Sequence, residues 1–116
     1  MRTNPTIWDL ELLQSEHKHW LIKNFPNQKS HDALLGLMEE VGELAHAHLK
    51  AEQQIRGLGE ISQADEKKID AIGDIVIYLA SYCNSNGFDL AACVSETWKK
   101  VRLRDWQTDS LTGGES

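Results

Sequence analysis

The sequence is poor in cysteine and has no long apolar run. Its two cysteines, Cys83 and Cys93, are too few for a disulfide framework or a structural zinc site. Cys83 lies within an apolar stretch, so we predict a buried thiol. No segment approaches the ~18–20 apolar residues of a membrane span, and the N-terminus lacks the pattern of a signal peptide. These absences predict a cytoplasmic protein.

Basic residues are also scarce. The chain has 12 Lys and Arg against 18 Asp and Glu, a formal net charge of −6 at pH 7. A nonspecific nucleic-acid binder needs a basic surface to displace counterions, so no stable nucleic-acid binding is expected. A small phosphate ligand is not excluded, because a metal ion or a few cations can invert the local field. The 116 residues fit one domain, which we place over 1–106, followed by a disordered tail over 107–116.

Hydrophobic spacing predicts an all-α protein of four helices. Pro26 separates the first two helices. Asn84-Ser85-Asn86-Gly87 is a stop signal that ends the third helix, and Asp89 is a suitable N-cap for the fourth. The predicted helices cover 6–24, 30–55, 63–85 and about 90–106. Short connections between them favour an antiparallel four-helix bundle.

The third predicted helix is apolar almost all round between Ile72 and Cys83. A small bundle rarely encloses one of its helices completely, so part of this surface needs another partner. We therefore predict a homodimer or homotetramer that associates through the third helix.

Three carboxylates lie close together on the second predicted helix. At ~100° per residue, Glu39, Glu40 and Glu43 span an arc of about 100°. Such a group is ordinarily a solvated face. However, small residues share the stripe of Glu40 and Glu43 and would let another helix approach closely; they are Ala33, Gly36 and Ala47.

The third predicted helix carries two further carboxylates, Asp70 and Asp74, in an otherwise apolar run. Like charges one turn apart are mildly destabilising, and burying them unpaired costs far more. A divalent cation shared between the helices would remove both costs, and oxygen-only ligands favour Mg²⁺ or Mn²⁺ over zinc. The alternative is ion pairing of these aspartates with Lys67, Lys68 or another helix.

The two acidic segments together resemble the MazG-like all-α nucleotide pyrophosphohydrolases. That family carries EExxE on one helix and ExxD on the next, and here Glu39-Glu40-Val41-Gly42-Glu43 precedes Asp70-Ala71-Ile72-Gly73-Asp74. The resemblance extends from about Trp8 to Trp106. It implies Mg²⁺ ligands at Glu40, Glu43 and Asp74, and Glu39 is our choice for the residue that orients or deprotonates the attacking water. The family's second glutamate would fall at Ala71, so we infer that Asp70 replaces it, directly or through a bridging water.

A basic group near the end of the fourth predicted helix is the candidate phosphate-binding element. Lys99, Lys100 and Arg104 belong to it, and Lys100 and Arg104 lie one turn apart. Cations there could bind the β- and γ-phosphates and the departing pyrophosphate, and related enzymes carry a Lys and an Arg at this spacing. The alternative is ordinary cations that stabilise a helix C-terminus.

The resemblance implies Mg²⁺-dependent hydrolysis of nucleoside or deoxynucleoside triphosphates between the α- and β-phosphates, giving a monophosphate and pyrophosphate, with a role in nucleotide-pool clean-up. The rival is a catalytically weak or inactive helical bundle that binds a nucleotide or partner, because position 71 is Ala. A purely structural interaction domain is the third alternative. Base preference is not encoded in any motif.

The aromatic residues and histidines form no recognisable site in the sequence. A tryptophan could stack on a base, but core packing is the preferred interpretation for each of the four: Trp8, Trp20, Trp98 and Trp106. We predict that His17 and His19 form a surface pair.

Overall fold

The computed structural model describes residues 9–56 and 61–104. Apart from short connections and ends these residues are helical, and they contain no strand. The four helices are α1 (Leu10–Asn24), α2 (Ser30–Arg56), α3 (Ile61–Asn86) and α4 (Leu90–Arg102). Their order and approximate bounds confirm the sequence prediction. The predictions for residues 6–8 and for the tail lie outside the described residues.

Local signals explain where several of the helices begin and end. The Asp9 carboxylate accepts the Leu12 backbone N–H at 2.7 Å and caps α1, and Asp89 caps α4 in the same way through Ala92 at 3.0 Å. Gly87 adopts φ +73°, and the Phe88 N–H reaches back to the Cys83 carbonyl at 2.9 Å. This is the glycine-terminated helix end predicted after Asn86.

The fourth helix is shorter than predicted. It ends at Arg102, and the Arg104 N–H bonds the Val101 carbonyl at 3.1 Å in a tight turn. This i→i+3 bond replaces the helical pattern, as often happens in a last turn. Lys100 is therefore helical, whereas Arg104 lies beyond the helix. Trp106 lies outside the described residues.

The third helix is the central element of the fold. It contacts each of the other three helices, whereas α2 contacts α3 alone within the described ranges. Gln28 meets Ser81 just before α2 begins, and Gly36 meets Tyr78 farther along. These pairs progress in opposite directions, so α2 and α3 are antiparallel. Closure of all four helices into one bundle stays a prediction.

A single chain encloses very little core. The buried apolar residues of the described ranges are small apart from Leu90; they are Ala33, Ala47, Ala51, Ala64, Ala71, Ala80 and Cys83. Burial of Cys83 confirms the sequence prediction, and it raises the pKa of the thiol above its usual value. Many larger apolar side chains remain exposed on the helices, including Met38 at 67% and Ile72 at 54%. None of the described helices is long and apolar enough to span a membrane.

Candidate active site

Small residues bring α2 and α3 close together where the site lies. Ala33 and Ala47 are buried, and the Tyr78 ring occupies the space that a side chain at Gly36 would need. The phenol oxygen of Tyr78 would lie 2.9 Å from a β-carbon built at Gly36. The stripe of small residues predicted from the sequence is thus the face that α2 turns towards α3.

This close approach creates an acidic cleft between the two helices. The cleft has a volume of about 650 Å³ and is lined by Glu40 and Glu43 from α2 and by Asp70 and Asp74 from α3. The four carboxylates predicted as metal ligands therefore lie around one cavity, although they come from segments about thirty residues apart. The interpretation of Glu40 and Glu43 as part of a purely solvated face is not favoured by this arrangement.

The electrostatics of Glu40 show how near its neighbours are. Its pKa is raised above the usual glutamate value by partial burial, and further by the negative charges of Glu43 and Asp74. A raised pKa means that the ionised form is disfavoured in this environment. A cation in the cleft would relieve that cost.

Ion pairing does not account for the aspartates of α3 within the described ranges. Lys68 pairs with Asp65 at 3.5 Å. No salt bridge within 4.0 Å joins Asp70 or Asp74 to a described cation. The alternative in which Lys67 or Lys68 neutralises these carboxylates is therefore not observed.

The site departs from the family pattern at Ala71, which forms part of the cleft wall and is only 2% exposed. Asp70 lines the same cavity, as a replacement for the missing glutamate would have to do. No set of three or more His, Cys, Asp or Glu side chains in the described ranges is already close enough to form a complete metal site. The donor chemistry of the cleft fits a hard cation, and the ligands would have to draw together around it.

The cleft also contains cations that were not assigned a binding role from the sequence. Lys50 on α2 and Lys67 on α3 line it together with His46, and neither lysine has an ion pair within 4.0 Å among the described residues. Helical spacing could have indicated both, because Lys50 follows Glu43 by seven residues and Lys67 precedes Asp74 by seven. The cleft is therefore acidic at one end and basic at the other.

The remaining predicted site residues lie elsewhere. Glu39 is exposed and does not line the cleft. On α4, Lys99 pairs with Glu96 at 3.5 Å and Lys100 is exposed, and Arg104 is half-buried just past the helix end. The structure thus brings together the four predicted metal ligands and leaves the predicted base and phosphate-binding residues outside the cleft of this chain.

A second cavity adjoins the acidic cleft and shares Glu40 and Asp74 with it. Its volume is about 690 Å³, and its other walls come from α1, the turn after α1, and α3. Aromatic side chains form one side, with the ring centroids of His17 and Trp20 5.6 Å apart and those of Trp20 and Phe25 also 5.6 Å apart. We call it the aromatic cavity. Nothing in the sequence alone indicated it, because its walls meet only in the folded chain.

Three predictions about aromatic and histidine residues were wrong. Trp20 is 51% exposed and Trp98 is 58% exposed, so neither packs in a core of this chain. His17 is half-buried against Trp20 rather than a surface partner of His19, which is exposed. Trp20 is exposed because α1 packs against α3 without burying any of its own residues.

The fold and the cleft define an all-helical protein with facing carboxylates on two antiparallel helices. Residues 28–108 match the MazG nucleotide pyrophosphohydrolase domain model. The chain therefore belongs to the MazG nucleotide pyrophosphohydrolase family, as the two acidic segments predicted. No curated protein and no solved structure matches the chain. The matched region contains α2, α3 and α4 but not α1, so it is shorter than the resemblance inferred from Trp8 onward.

Proposed function

We propose that this protein hydrolyses nucleoside or deoxynucleoside triphosphates between the α- and β-phosphates, releasing a monophosphate and pyrophosphate. Membership of the MazG family supports the reaction class. The observation that carries the proposal is the convergence of Glu40, Glu43, Asp70 and Asp74 on one cleft. None of these four carboxylates has an ion pair within 4.0 Å among the described residues, which favours a bound cation, and a triphosphate is a ligand that brings one.

The cation we propose is Mg²⁺, with Mn²⁺ as a substitute, held by Glu40, Glu43 and Asp74 with Asp70 as the fourth ligand. When bound, such an ion neutralises phosphate charge and polarises the bond that breaks. The raised pKa of Glu40 supports this assignment, since it reflects burial first and then repulsion by Glu43 and Asp74, and a bound cation would offset both. Oxygen donors without a cysteine or histidine cluster suit a hard divalent ion.

The proposed chemistry is transfer of the nucleotidyl group, the nucleoside with its α-phosphate, to water. The water oxygen bonds to the α-phosphorus, and the bond from that phosphorus to the bridging oxygen breaks. Pyrophosphate departs with the bridging oxygen, and the proton from the water passes to a carboxylate. We propose Glu39 for this base. It directly precedes Glu40 on α2, outside the cleft wall.

Two sets of cations are candidates for binding the departing pyrophosphate. Lys50 and Lys67 already line the cleft beside the carboxylates, and ammonium groups there would bind the β- and γ-phosphates. Lys99, Lys100 and Arg104 on and after α4 line neither the acidic cleft nor the aromatic cavity of the same chain. We therefore propose Lys50 and Lys67 as phosphate ligands and keep the α4 cations as candidates that would act on another subunit.

We further propose that the protein is a homodimer or homotetramer associated through exposed faces of α2 and α3. Large apolar side chains remain uncovered on both helices, among them Leu35, Met38 and Leu49 on α2 and Ile69 and Ile72 on α3. All five are more than half exposed. A second copy is the partner we propose, because symmetric association would cover these faces in every subunit.

A binding protein without turnover is the second candidate, because Ala71 replaces a family carboxylate. Pyrophosphate release from a panel of canonical and modified triphosphates, with Mg²⁺ and with EDTA, separates the two. We expect Mg²⁺-dependent release from at least one substrate. Saturable nucleotide binding with no turnover on any substrate would favour the binding protein, and absence of both metal and nucleotide binding by calorimetry would favour an interaction domain. The proposed cellular role is clean-up of nucleotide pools in the cytoplasm.

A further inference from the structure

The aromatic cavity offers a second binding surface next to the proposed metal ligands. We propose that it holds the nucleobase of the substrate, and that Gln28, positioned by Ser81, determines which base is preferred. This inference rests on the proposed function, because it assumes that the triphosphate occupies the acidic cleft.

Continuity between the two cavities is the first support. Glu40 and Asp74 border both of them, so a ligand whose phosphates lie at these carboxylates can extend in either direction. The acidic cleft continues towards Lys50 and Lys67, which suits the β- and γ-phosphates. The opposite direction leads into the aromatic cavity, whose 690 Å³ is within the usual size of small-molecule sites.

The walls of the aromatic cavity suit a planar heterocycle. Trp20 and Phe25 are each more than half exposed, and their rings are inclined at 57° to one another. The His17 ring stacks against Trp20 at an interplanar angle of 28°. Exposed aromatic faces are favourable stacking surfaces for bases.

Gln28 supplies the polar group that can distinguish one base from another. The hydroxyl of Ser81, a residue only 2% exposed, donates to the Gln28 Oε1 at 2.8 Å. This bond occupies the carbonyl end of the amide and orients the side chain. Among the described residues, the Gln28 Nε2 has no hydrogen-bond acceptor, so its two N–H groups remain available in the cavity wall.

An amide that presents only donors favours a base edge that presents only acceptors. Cytosine has such an edge in O2 and N3, and guanine has one in O6 and N7. The Watson–Crick edge of uracil or thymine, and the N6 side of adenine, place a donor next to the acceptor. We therefore expect cytosine or guanine nucleotides to be preferred over the others.

Part of the wall of the aromatic cavity lies outside the matched domain. His17 and Trp20 belong to α1, which precedes the matched residues 28–108, and Gln28 is the first matched position. The aromatic stacking surface would then come from the segment outside the matched domain, whereas Gln28 and Ser81, which distinguish the bases, belong to the domain.

The test compares kcat/KM for pyrophosphate release from the four canonical deoxynucleoside triphosphates and from a base-free deoxyribose 5-triphosphate, with Mg²⁺. For the wild type we expect a preference for dCTP or dGTP. Gln28→Ala should lower the ratio of kcat/KM for the preferred nucleotide to that for the base-free compound by about tenfold. Gln28→Glu, which presents acceptors instead, should change the order of preference among the four nucleotides.

Ser81→Ala tests the positioning role, and Gln53→Ala is the matched control because Gln53 is an exposed glutamine outside both cavities. Ser81→Ala should reduce discrimination between bases in the same direction as Gln28→Ala, and Gln53→Ala should leave it unchanged. Unaltered base ratios in both Gln28 variants would overturn the inference while leaving the proposed function intact. Absence of pyrophosphate release from every compound, including the base-free one, would instead overturn the proposed function.

Discussion

Replacement of Gly36 by alanine tests the close approach of α2 and α3 on which the site depends. A β-carbon at this position would overlap the Cε1 and Cζ atoms of Tyr78. Either the two helices separate or the ring moves towards the aromatic cavity, whose wall it forms. Overpacking of this kind costs about 1–3 kcal/mol, whereas removing a helical glycine contributes about 0.5–1 kcal/mol in the other direction. We expect a net destabilisation of about 1–2 kcal/mol.

The matched control is the same substitution in a Tyr78→Ala background. With the ring absent, the new methyl group has space, so Gly36→Ala should stabilise that variant by about 0.5–1 kcal/mol. The effects of Gly36→Ala on the free energy of unfolding in the two backgrounds would then differ by about 2 kcal/mol. This difference is the coupling energy between Gly36 and Tyr78. Urea unfolding at one fixed protein concentration measures all four variants, and the fixed concentration matters because the proposed association would add to apparent stability. Equal effects in the two backgrounds would refute the packing of Tyr78 against Gly36.

Three further predictions concern charge and association. Lys67→Ala should raise KM for the triphosphate by about tenfold or more through loss of a phosphate ligand. A larger increase in KM for Lys100→Ala would favour the α4 cations as the phosphate ligands instead. Burial lowers the pKa of His17 below 6.5, so the native state binds fewer protons than the unfolded state; stability should fall as pH drops through 6.5 towards the native pKa. His17→Phe should weaken that pH dependence in urea titrations, and an unchanged profile would contradict the assignment. Met38→Glu should shift the proposed oligomer towards monomer in light scattering, whereas an unchanged mass would exclude Met38 from the proposed interface.

Sequence reasoning predicted the helices and the four carboxylates that line one cleft because both depend on local patterns. Gly87 and Asp89 mark the junction between α3 and α4 through their own backbone geometry and side-chain bond. The carboxylates share a face through helical spacing alone, and the small stripe around Gly36 indicated which face meets another helix. Each of these signals lies within a few residues of the feature that it predicts.

The features that sequence reasoning missed arise from contacts between distant segments. The aromatic cavity requires α1 and the turn after it to meet α3, as in the bond from Ser81 to Gln28 across 53 positions. The exposure of Trp20 depends on what covers α1, and amino-acid type does not specify that. Lys67 was considered only as an ion-pair partner of the aspartates, because sequence spacing does not show that Lys50 faces it across the cleft.

The most direct test of the central claim is Mg²⁺-dependent pyrophosphate release by the Glu43→Ala and Asp74→Ala variants, measured on a substrate that the wild type hydrolyses. Asp65→Ala is the matched control, because Asp65 is an exposed carboxylate on α3 that pairs with Lys68 and lies outside the cleft. We predict that each cleft variant lowers kcat/KM by at least about 100-fold and that Asp65→Ala retains wild-type activity. Full pyrophosphate release by both cleft variants would contradict the account.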